Sequence, residues 1–261
     1  MAGPPTLIAV GNSHLAAVLS AFEVWAEPTL SVVPVFLWDQ ALQPAWTVTD
    51  GVVAYGAAFT AALHGAARNH PGAPAICCWG SNAHFSTALM PKGPPLDFVL
   101  PSIPGPGPDL PPDPALNLVP NDMVREHVAN SIRPYAGLPR ATHDALSGLV
   151  WSVPPPPPLA DTAGVHALVA DTLEPKLARQ VRPNRIASPS VRLKLWHLAV
   201  EAMRARLAEI GTHFLDTPPL ALDEAGFLRS DLAADALHAN AAYGRMLIDH
   251  LAATIAAHQD R

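Results

Sequence analysis

Short apolar runs alternate with helix-forming stretches along this chain, and this order limits the folds that are open to it. Residues 6–10, 30–38 and 75–79 are predominantly apolar, which is typical of strands that are buried on both faces. Residues 14–26 and 57–69 carry apolar side chains at helical spacing. Strands that alternate with helices predict a parallel sheet covered by helices on both sides.

The rest of the chain continues this alternation with longer helices. The further predicted elements are a hairpin turn at 50–51, a short strand at 97–100, helices at 121–132 and 140–149, strands at 149–153 and 212–215, and a last helix at roughly 239–257. Ser188 before Pro189 is typical of a helix start, because serine caps the first turn and proline is tolerated in it. The helix that they open is predicted to end at about Ile210.

We therefore predict an α/β fold, a three-layer α/β/α sandwich around a mostly parallel sheet, formed by residues 1–261 as a single domain. Proline is unusually frequent, at 30 of 261 residues, about twice the average share of about 5%. The prolines concentrate in segments that we interpret as insertions, near 101–120 and 154–188. Because proline lacks a backbone donor and fixes φ, polyproline-like surface loops are predicted there. Such loops either cover a site or simply connect elements.

Composition and charge exclude several classes of partner. The chain has 16 basic and 22 acidic residues and a net charge of −6, so it lacks the positive field that nucleic-acid binding needs. No apolar run is long enough to span a membrane, and residues 1–10 lack the basic start of a signal peptide. The adjacent Cys77 and Cys78 do not suit disulfide geometry, which predicts inert core thiols and a cytoplasmic location.

Polar residues stand at the ends of predicted strands, where parallel sheets bind ligands. Ser13 follows the first strand, and Asn82 follows the strand at 75–79. Asp235 and His238 lie three residues apart, between the last strand and the last helix. Each has a common structural explanation: a helix cap, a turn, or a surface hydrogen bond. Together they supply the hydroxyl, imidazole, carboxylate and oxyanion donor that serine hydrolysis needs.

The same residues resemble the sequence blocks of the SGNH hydrolases, also called GDSL-type esterases and lipases. The family's Gly-Asp-Ser block stands here as Gly11-Asn12-Ser13, its Gly-x-Asn-Asp block as Gly80-Ser81-Asn82-Ala83, and its Asp-x-x-His block as Asp235-Ala236-Leu237-His238. The blocks occur in the family's order and span almost the whole chain. Each is short, so the resemblance depends on their joint occurrence at the ends of predicted strands.

The resemblance implies a flavodoxin-like sheet and a role for each residue. Ser13 would be the nucleophile, His238 its base and Asp235 the partner that orients the base. The Ser13 backbone N–H and the Asn82 side-chain amide would form the oxyanion hole. The chain would cleave an acyl ester of a small molecule through an acyl-enzyme, with no metal or organic cofactor. Because the base must be neutral, we expect activity to fall below about pH 6.5, the reference pKa of histidine.

Three positions depart from the family's pattern. Asn12 and Ala83 each stand where the family has an aspartate, and the glycine block that completes the oxyanion hole is not evident. Gly51 lies in the predicted hairpin and Gly56 precedes a predicted helix, so the third donor is Gly51, Gly56 or neither. The loss of one such donor typically costs about 10²–10³ in rate.

Two further interpretations stay open. An acyltransferase would use the same three residues and pass the acyl group to an acceptor other than water, with the proline-rich loops excluding water. A non-catalytic binding module is also compatible with this fold, because a fold does not by itself fix a function. The sequence indicates neither the acyl and alcohol parts of the substrate nor the oligomeric state.

Other residues that could bind a substrate, a metal or an anion give weaker indications of function. His14 and His84 lie within two residues of Ser13 and Asn82, so they are candidates for lining a substrate pocket as well as for structural roles. The 12 histidines show no zinc-binding spacing. The segment 176–194 carries basic residues and no acidic ones, and we expect it to be solvated rather than to bind an anion.

Overall fold

The computed structural model describes residues 4–25, 30–49, 52–80, 83–89, 94–101, 110–146, 148–172 and 186–259. The strands are β1 (Thr6–Gly11), β2 (Ser31–Phe36), β3 (Trp46–Thr49), β4 (Val52–Tyr55), β5 (Ala75–Cys78), β6 (Leu96–Asp97), β7 (Asn117–Leu118), β8 (Val150–Val153) and β9 (His213–Phe214). The helices are α1 (Ala16–Val24), α2 (Ala57–Asn69), α3 (Ala83–Leu89), α4 (Asn121–Ile132), α5 (Gly137–Ala145), α6 (Thr162–Thr172), α7 (Pro189–Ile210) and α8 (Ala241–Gln259). None of these described helices is both long enough and apolar enough to cross a membrane.

Five strands form one parallel sheet in the order β2-β1-β5-β8-β9. The chain winds outward in both directions from β1, which is the doubly wound, flavodoxin-like arrangement. The last residue of β1, Gly11, pairs with Phe36 on one side and with Cys78 on the other. The predicted three-layer α/β/α fold is therefore confirmed. The end of β1 lies at the switch point of the strand order, where such sheets bind ligands.

Successive residues of the central strands face two separate cores. On β1, Leu7 and Ala9 lie in one core, and Ile8 and Val10 lie in the other. The first core is closed by α1, α6 and α8, and the second by α2, α4, α5 and α7. Both faces of these strands are covered, which explains why their sequences are continuous apolar runs rather than alternating ones.

Most of the predicted elements are present with shifted ends. The helices predicted at 57–69 and 121–132 coincide with α2 and α4. The Ser188 cap of α7 is present, since its hydroxyl accepts a hydrogen bond from the Val191 N–H at 3.3 Å. The helix α5 begins three residues earlier than predicted, with Pro139 in its first turn.

Two short helices, α3 and α6, were not predicted. The helix α6 contains Gly164 and several β-branched residues, which are weak helix formers. Burial of Val165 and Val169 against the sheet stabilises it instead. It occupies part of the segment 154–188, so the interpretation of that whole segment as a loop is wrong.

The prediction of a surface loop is also wrong for the proline run itself, because residues 154–157 are buried. Proline has no backbone N–H, so a buried proline run needs partners only for its carbonyl groups. Trp196 Nε1 donates to the Pro155 carbonyl at 3.0 Å, and the Leu228 N–H donates to the Pro158 carbonyl at 3.1 Å. Much of the other proline-rich segment, residues 102–109, lies outside the described residues.

The expectation of a solvated basic segment is wrong for Arg192 and Lys194, which are buried on α7. Lys194 Nζ lies 2.8 Å from Asp97 Oδ1, and this ion pair is buried. Arg192 donates to the Leu159 carbonyl at 2.8 Å. Both proline-rich segments cover this part of α7, so its charged side chains bind their carbonyl groups instead of water. Residues 176–185 lie outside the described part of the chain.

The two cysteines are buried and unpaired in β5. Burial raises the pKa of the Cys77 thiol to about 12, although hydrogen bonds with Thr142 and Ser152 act in the opposite direction. The thiol therefore stays protonated at neutral pH and lacks the thiolate that reactivity needs. The prediction of inert core cysteines is confirmed.

Candidate active site

Two segments that are distant in sequence meet at the carboxyl edge of the sheet. Ser13 begins a 3-10 turn, Ser13–Leu15, directly after β1, and Asp235 and His238 lie in the loop before α8. His238 Nε2 lies 2.9 Å from Ser13 Oγ, and His238 Nδ1 lies 2.8 Å from Asp235 Oδ2. Both distances allow hydrogen bonds. The structure thus brings together the three side chains that the sequence suggested as one unit.

The loop that carries Asp235 and His238 is fixed by its own hydrogen bonds. Asp235 Oδ1 accepts the backbone N–H groups of Leu237 and His238, each at 2.7 Å. The His238 carbonyl accepts the N–H groups of Ala234 at 2.8 Å and Asp235 at 3.2 Å. One carboxylate oxygen therefore holds the turn, while the other is left for the imidazole ring. The spacing Asp-x-x-His follows from this geometry.

The hydrogen bonds also determine the protonation of the pair. Burial alone would raise the pKa of Asp235, but hydrogen bonds from the His238 ring and the Leu237 N–H bring this pKa below its usual value. An ionised carboxylate only accepts hydrogen bonds, so His238 Nδ1 carries the proton. In the neutral ring Nε2 is then an acceptor, and it faces the Ser13 hydroxyl. This is the arrangement that a general base for Ser13 requires.

The residues before Ser13 explain the shape of the turn. A Cβ at Gly11 would lie 2.5 Å from the Cys78 carbonyl oxygen, so only glycine fits between β1 and β5 here. Asn12 Oδ1 accepts the His14 N–H at 3.1 Å, and Asn12 Nδ2 donates to the Gly80 carbonyl at 2.9 Å. Asn12 therefore links the turn at Ser13 to the end of β5. An aspartate at this position, as in the family's pattern, has no N–H for the second bond.

The oxyanion donors are only partly described. Asn82 and Gly51 both lie outside the described residues. Gly56 is described, and its backbone N–H donates to the Ala45 carbonyl at 2.8 Å. That N–H is already occupied, so Gly56 is not the third donor. Ser13 is the first residue of the 3-10 turn, so its own N–H is not used by the hydrogen bonds within the turn.

Both histidines that were candidates for the pocket lie near the site. His14 is buried, and its ring centroid lies 5.1 Å from that of His238. His84 is also buried and lines a cavity together with His238. His14 therefore packs against the candidate base, whereas His84 borders the space beside it. Their participation in substrate binding stays a prediction.

Two spaces of different size flank His238. The first is a cavity of about 20 Å³ lined by Asp235, His238 and the proline run at 156–158. The second is a groove of about 410 Å³ lined by Ser13, Asp235, His238 and a series of alanines. Only the second space includes Ser13, the candidate nucleophile.

Arg192, which holds the proline side of the site, is not among the residues that the sequence predicted for it. Arg192 Nη1 donates to the Ala187 carbonyl at 2.7 Å, and Arg192 Nη2 donates to the carbonyls of Leu159 at 2.8 Å and Ala160 at 3.1 Å. The signal in the sequence is the stretch 191–196, where basic residues alternate with apolar ones on a helix. All six residues of this stretch are buried.

No family profile matches the sequence, and no curated protein matches it. Solved structures with a similar arrangement include a GDSL-like lipase from Bacteroides thetaiotaomicron, with 12% identity, coverage of 97% of this chain and 91% of that chain, and a TM-score of 0.41. A carbohydrate acetylesterase family member from Sinorhizobium meliloti has 12% identity, coverage of 96% and 97%, and a TM-score of 0.39. Phospholipase A1 from Streptomyces albidoflavus has 10% identity, coverage of 96% and 99%, and a TM-score of 0.39.

These three proteins are named as a GDSL-like lipase, a carbohydrate acetylesterase family member and a phospholipase. Their identities to this chain are only 10–12%, and their TM-scores are below 0.5. Such similarities establish neither the activity nor the substrate of this chain. Its assignment to the flavodoxin-like α/β/α folds depends on its own strand order and on the two covered faces of its sheet.

Proposed function

We propose that this chain is an SGNH-type serine hydrolase that cleaves a carboxylic ester of a small molecule. The observation that supports this best is the continuous hydrogen-bonded relay from Ser13 Oγ through the His238 ring to Asp235. A purely structural Asp–His pair would not need the second ring nitrogen to face a serine from the opposite end of the chain. The relay also lies at the switch point of the sheet, where ligands bind.

The reaction follows from the roles that these positions suggest. His238 Nε2 takes the Ser13 proton as Oγ attacks the ester carbonyl carbon, and the carbonyl electron pair moves to the oxygen. Collapse of this tetrahedral intermediate expels the alcohol, which receives the proton from His238. Water then attacks the acyl-enzyme with His238 as base, and the acid leaves as Ser13 regains its proton. Asp235 stays ionised and stabilises the imidazolium in both steps.

The developing oxyanion needs hydrogen-bond donors. The family resemblance assigns this role to the Ser13 backbone N–H and the Asn82 side-chain amide. Water is favoured as the acyl acceptor over a sugar or another alcohol, because Ser13 and His238 border an open groove rather than a closed cavity. Adding alcohol or sugar acceptors tests this directly: a product that carries the acyl group on the acceptor would indicate a transferase.

Labelling with a fluorophosphonate probe tests the nucleophile. The Ser13→Ala variant should lose the label, and its kcat should fall by about 10⁴-fold or more. The Ser20→Ala variant is the matched control, because Ser20 borders the same groove but takes no part in the relay. It should label like the parent. If the Ser13→Ala variant labels as well as the parent, the assignment of Ser13 as nucleophile is wrong. If the parent itself does not label, a binding function is the better hypothesis.

The pH dependence of activity tests the base. Asp235 is ionised across the range from pH 5 to 8, because its pKa lies below the usual value. A loss of activity within this range therefore reports the base rather than the carboxylate. We expect kcat/KM to fall towards acidic pH, because a protonated imidazole cannot accept the Ser13 proton. A flat profile between pH 5 and 8 would contradict the assignment.

A further inference from the structure

The groove beside Ser13 is lined mainly by small apolar side chains. Besides the relay, it is bordered by Ala16, Ala17, Phe36, Ala239 and Ala241, and its volume is about 410 Å³. Larger side chains at the alanine positions would fill this space. The groove therefore exists because α1 and the start of α8 present almost no side-chain bulk beside the nucleophile.

Most polar groups in the groove already have partners within the protein. Asn240 Nδ2 donates to the Asp231 carbonyl at 2.8 Å, and its Oδ1 accepts the Ala242 N–H at 2.9 Å. The Asp235 carboxylate is occupied by His238 and by the backbone of its own loop. A sugar or a charged group would find few free hydrogen-bonding partners there. The surface suits a hydrocarbon.

A second groove continues the first along the same helix. The two share Asn240 and Ala241, and the second extends to Val24, Trp25 and Arg245. The lining positions on α1 recur three or four residues apart, so they form one stripe. From Ser13 to Val24 this stripe is about 16 Å long at the rise of an α-helix. The Arg245 guanidinium lies over the Trp25 ring and pairs with Asp249, so the far end carries no uncompensated charge.

We propose that this groove along α1 binds the hydrocarbon chain of the acyl group, so that the substrates are esters of medium- to long-chain acids. This inference rests on the proposed hydrolase function. During the reaction the acyl carbon is bonded to Ser13 Oγ, so its chain must lie in the space that Ser13 borders. The departing alcohol is protonated by His238, which also borders the small cavity of about 20 Å³.

The Ser20→Trp substitution tests the groove, because Ser20 lies halfway along the stripe and a tryptophan there would block it. For p-nitrophenyl esters from acetate to decanoate, kcat/KM of the parent should rise about twofold to fourfold per methylene, as expected for partial to full burial. In the Ser20→Trp variant, the ratio of kcat/KM on octanoate or decanoate to kcat/KM on acetate should fall tenfold or more relative to the parent. Glu23→Trp is the control, because Glu23 is exposed on the same helix outside the groove.

Further measurements distinguish failure of the groove proposal from failure of the proposed hydrolase function. Hexyl acetate carries its hydrocarbon chain on the alcohol side. If Ser20→Trp lowers kcat/KM for hexyl acetate but not for p-nitrophenyl hexanoate, the alcohol occupies the groove and the proposal is overturned. A flat chain-length series in the parent would also overturn it. Binding of decanoate to the Ser13→Ala variant, measured by calorimetry, does not depend on turnover. It should weaken at least tenfold with Ser20→Trp, whereas failure of the hydrolase function would appear as a parent protein that cleaves none of these esters and takes no fluorophosphonate label.

Discussion

The two sides of His238 are built in opposite ways. On one side lies the proline wall, residues 156–159, which leaves a cavity of only about 20 Å³. On the other side lies the alanine wall, formed by Ala16, Ala17, Ala239 and Ala241, which borders a groove of about 410 Å³. The same imidazole therefore faces a closed space and an open one.

The difference lies in what fixes each wall. The proline wall is held by side chains of α7, since Arg192 and Trp196 donate hydrogen bonds to carbonyl groups of residues 155–160. The alanine wall is held by the close approach of two backbones, because a Cβ at Gly244 would overlap the Ala17 carbonyl. A long side chain with several donors suits a wall whose carbonyl groups need partners, whereas small side chains suit the wall of an open groove.

We expect the largest effect on stability from removing the Arg192 side chain, whose hydrogen bonds hold the proline wall. Arg192→Met would leave the carbonyls of Leu159, Ala160 and Ala187 without their donor, and Thr162 would lose a partner too. We expect the free energy of unfolding to fall by about 3–5 kcal/mol in urea denaturation. Part of this loss is offset, because burial is unfavourable for the charged group and lowers the pKa of Arg192 to about 10.

Arg204→Met is the matched control for this prediction. Arg204 lies on the same helix but is exposed, and it pairs with Asp216 at the surface. Such a pair contributes about 1 kcal/mol or less. Equal losses for the two variants would show that the hydrogen bonds of Arg192 do not hold the proline wall.

The alanine wall should be disturbed by adding one methyl group. Gly244→Ala forces α1 and α8 apart at Ala17, since the obstructing atoms belong to the backbone and cannot rotate away. We expect a loss of about 2–3 kcal/mol in thermal or urea denaturation. Gly65→Ala in α2 is the control, because no atom lies within 4 Å of its new Cβ. That variant should gain about 0.5–1 kcal/mol from helix propensity, so a similar loss in both would contradict the packing argument.

Asn12 connects the two sides of the site. Its substitution should have a smaller effect, which is measured as a loss of activity. It links the turn at Ser13 to the Gly80 carbonyl at 2.9 Å, and Gly80 in turn packs against Pro155. Asn12→Ala removes this link, whereas Asn12→Asp also places a carboxylate opposite the carbonyl oxygen. We therefore expect kcat/KM to fall about tenfold in the aspartate variant and by less in the alanine variant. If aspartate, the residue of the family's pattern, preserves full activity, the bridging role of Asn12 is wrong.

The contrast between the walls also explains what the sequence revealed. The mostly parallel, helix-covered sheet and the meeting of Ser13 with His238 could be predicted, because buried strands and polar strand ends leave local patterns. The burial of the proline run could not, since it depends on donors that lie far along the chain: Trp196 is 41 residues beyond Pro155, and Arg192 is 33 residues beyond Leu159. The same holds for Gly56, whose position before a helix gave no sign that its N–H is taken by Ala45.

The loop between the two walls carries Asp235. Substitution of this residue should have the smallest effect on the free energy of unfolding, because hydrogen bonds within the loop hold it. The pKa of Asp235 is lower in the folded protein than in an unfolded chain, so its ionised form stabilises the fold at neutral pH. This contribution is present above about pH 4, the unfolded value, and is lost as pH falls through the folded pKa. Asp235→Asn should therefore cost about 1 kcal/mol or less at pH 7, and the difference from the parent should shrink under acid conditions. Urea denaturation of both proteins from pH 3 to 7 measures this. A constant difference would mean that the walls, rather than the Asp235 carboxylate, hold the loop in place.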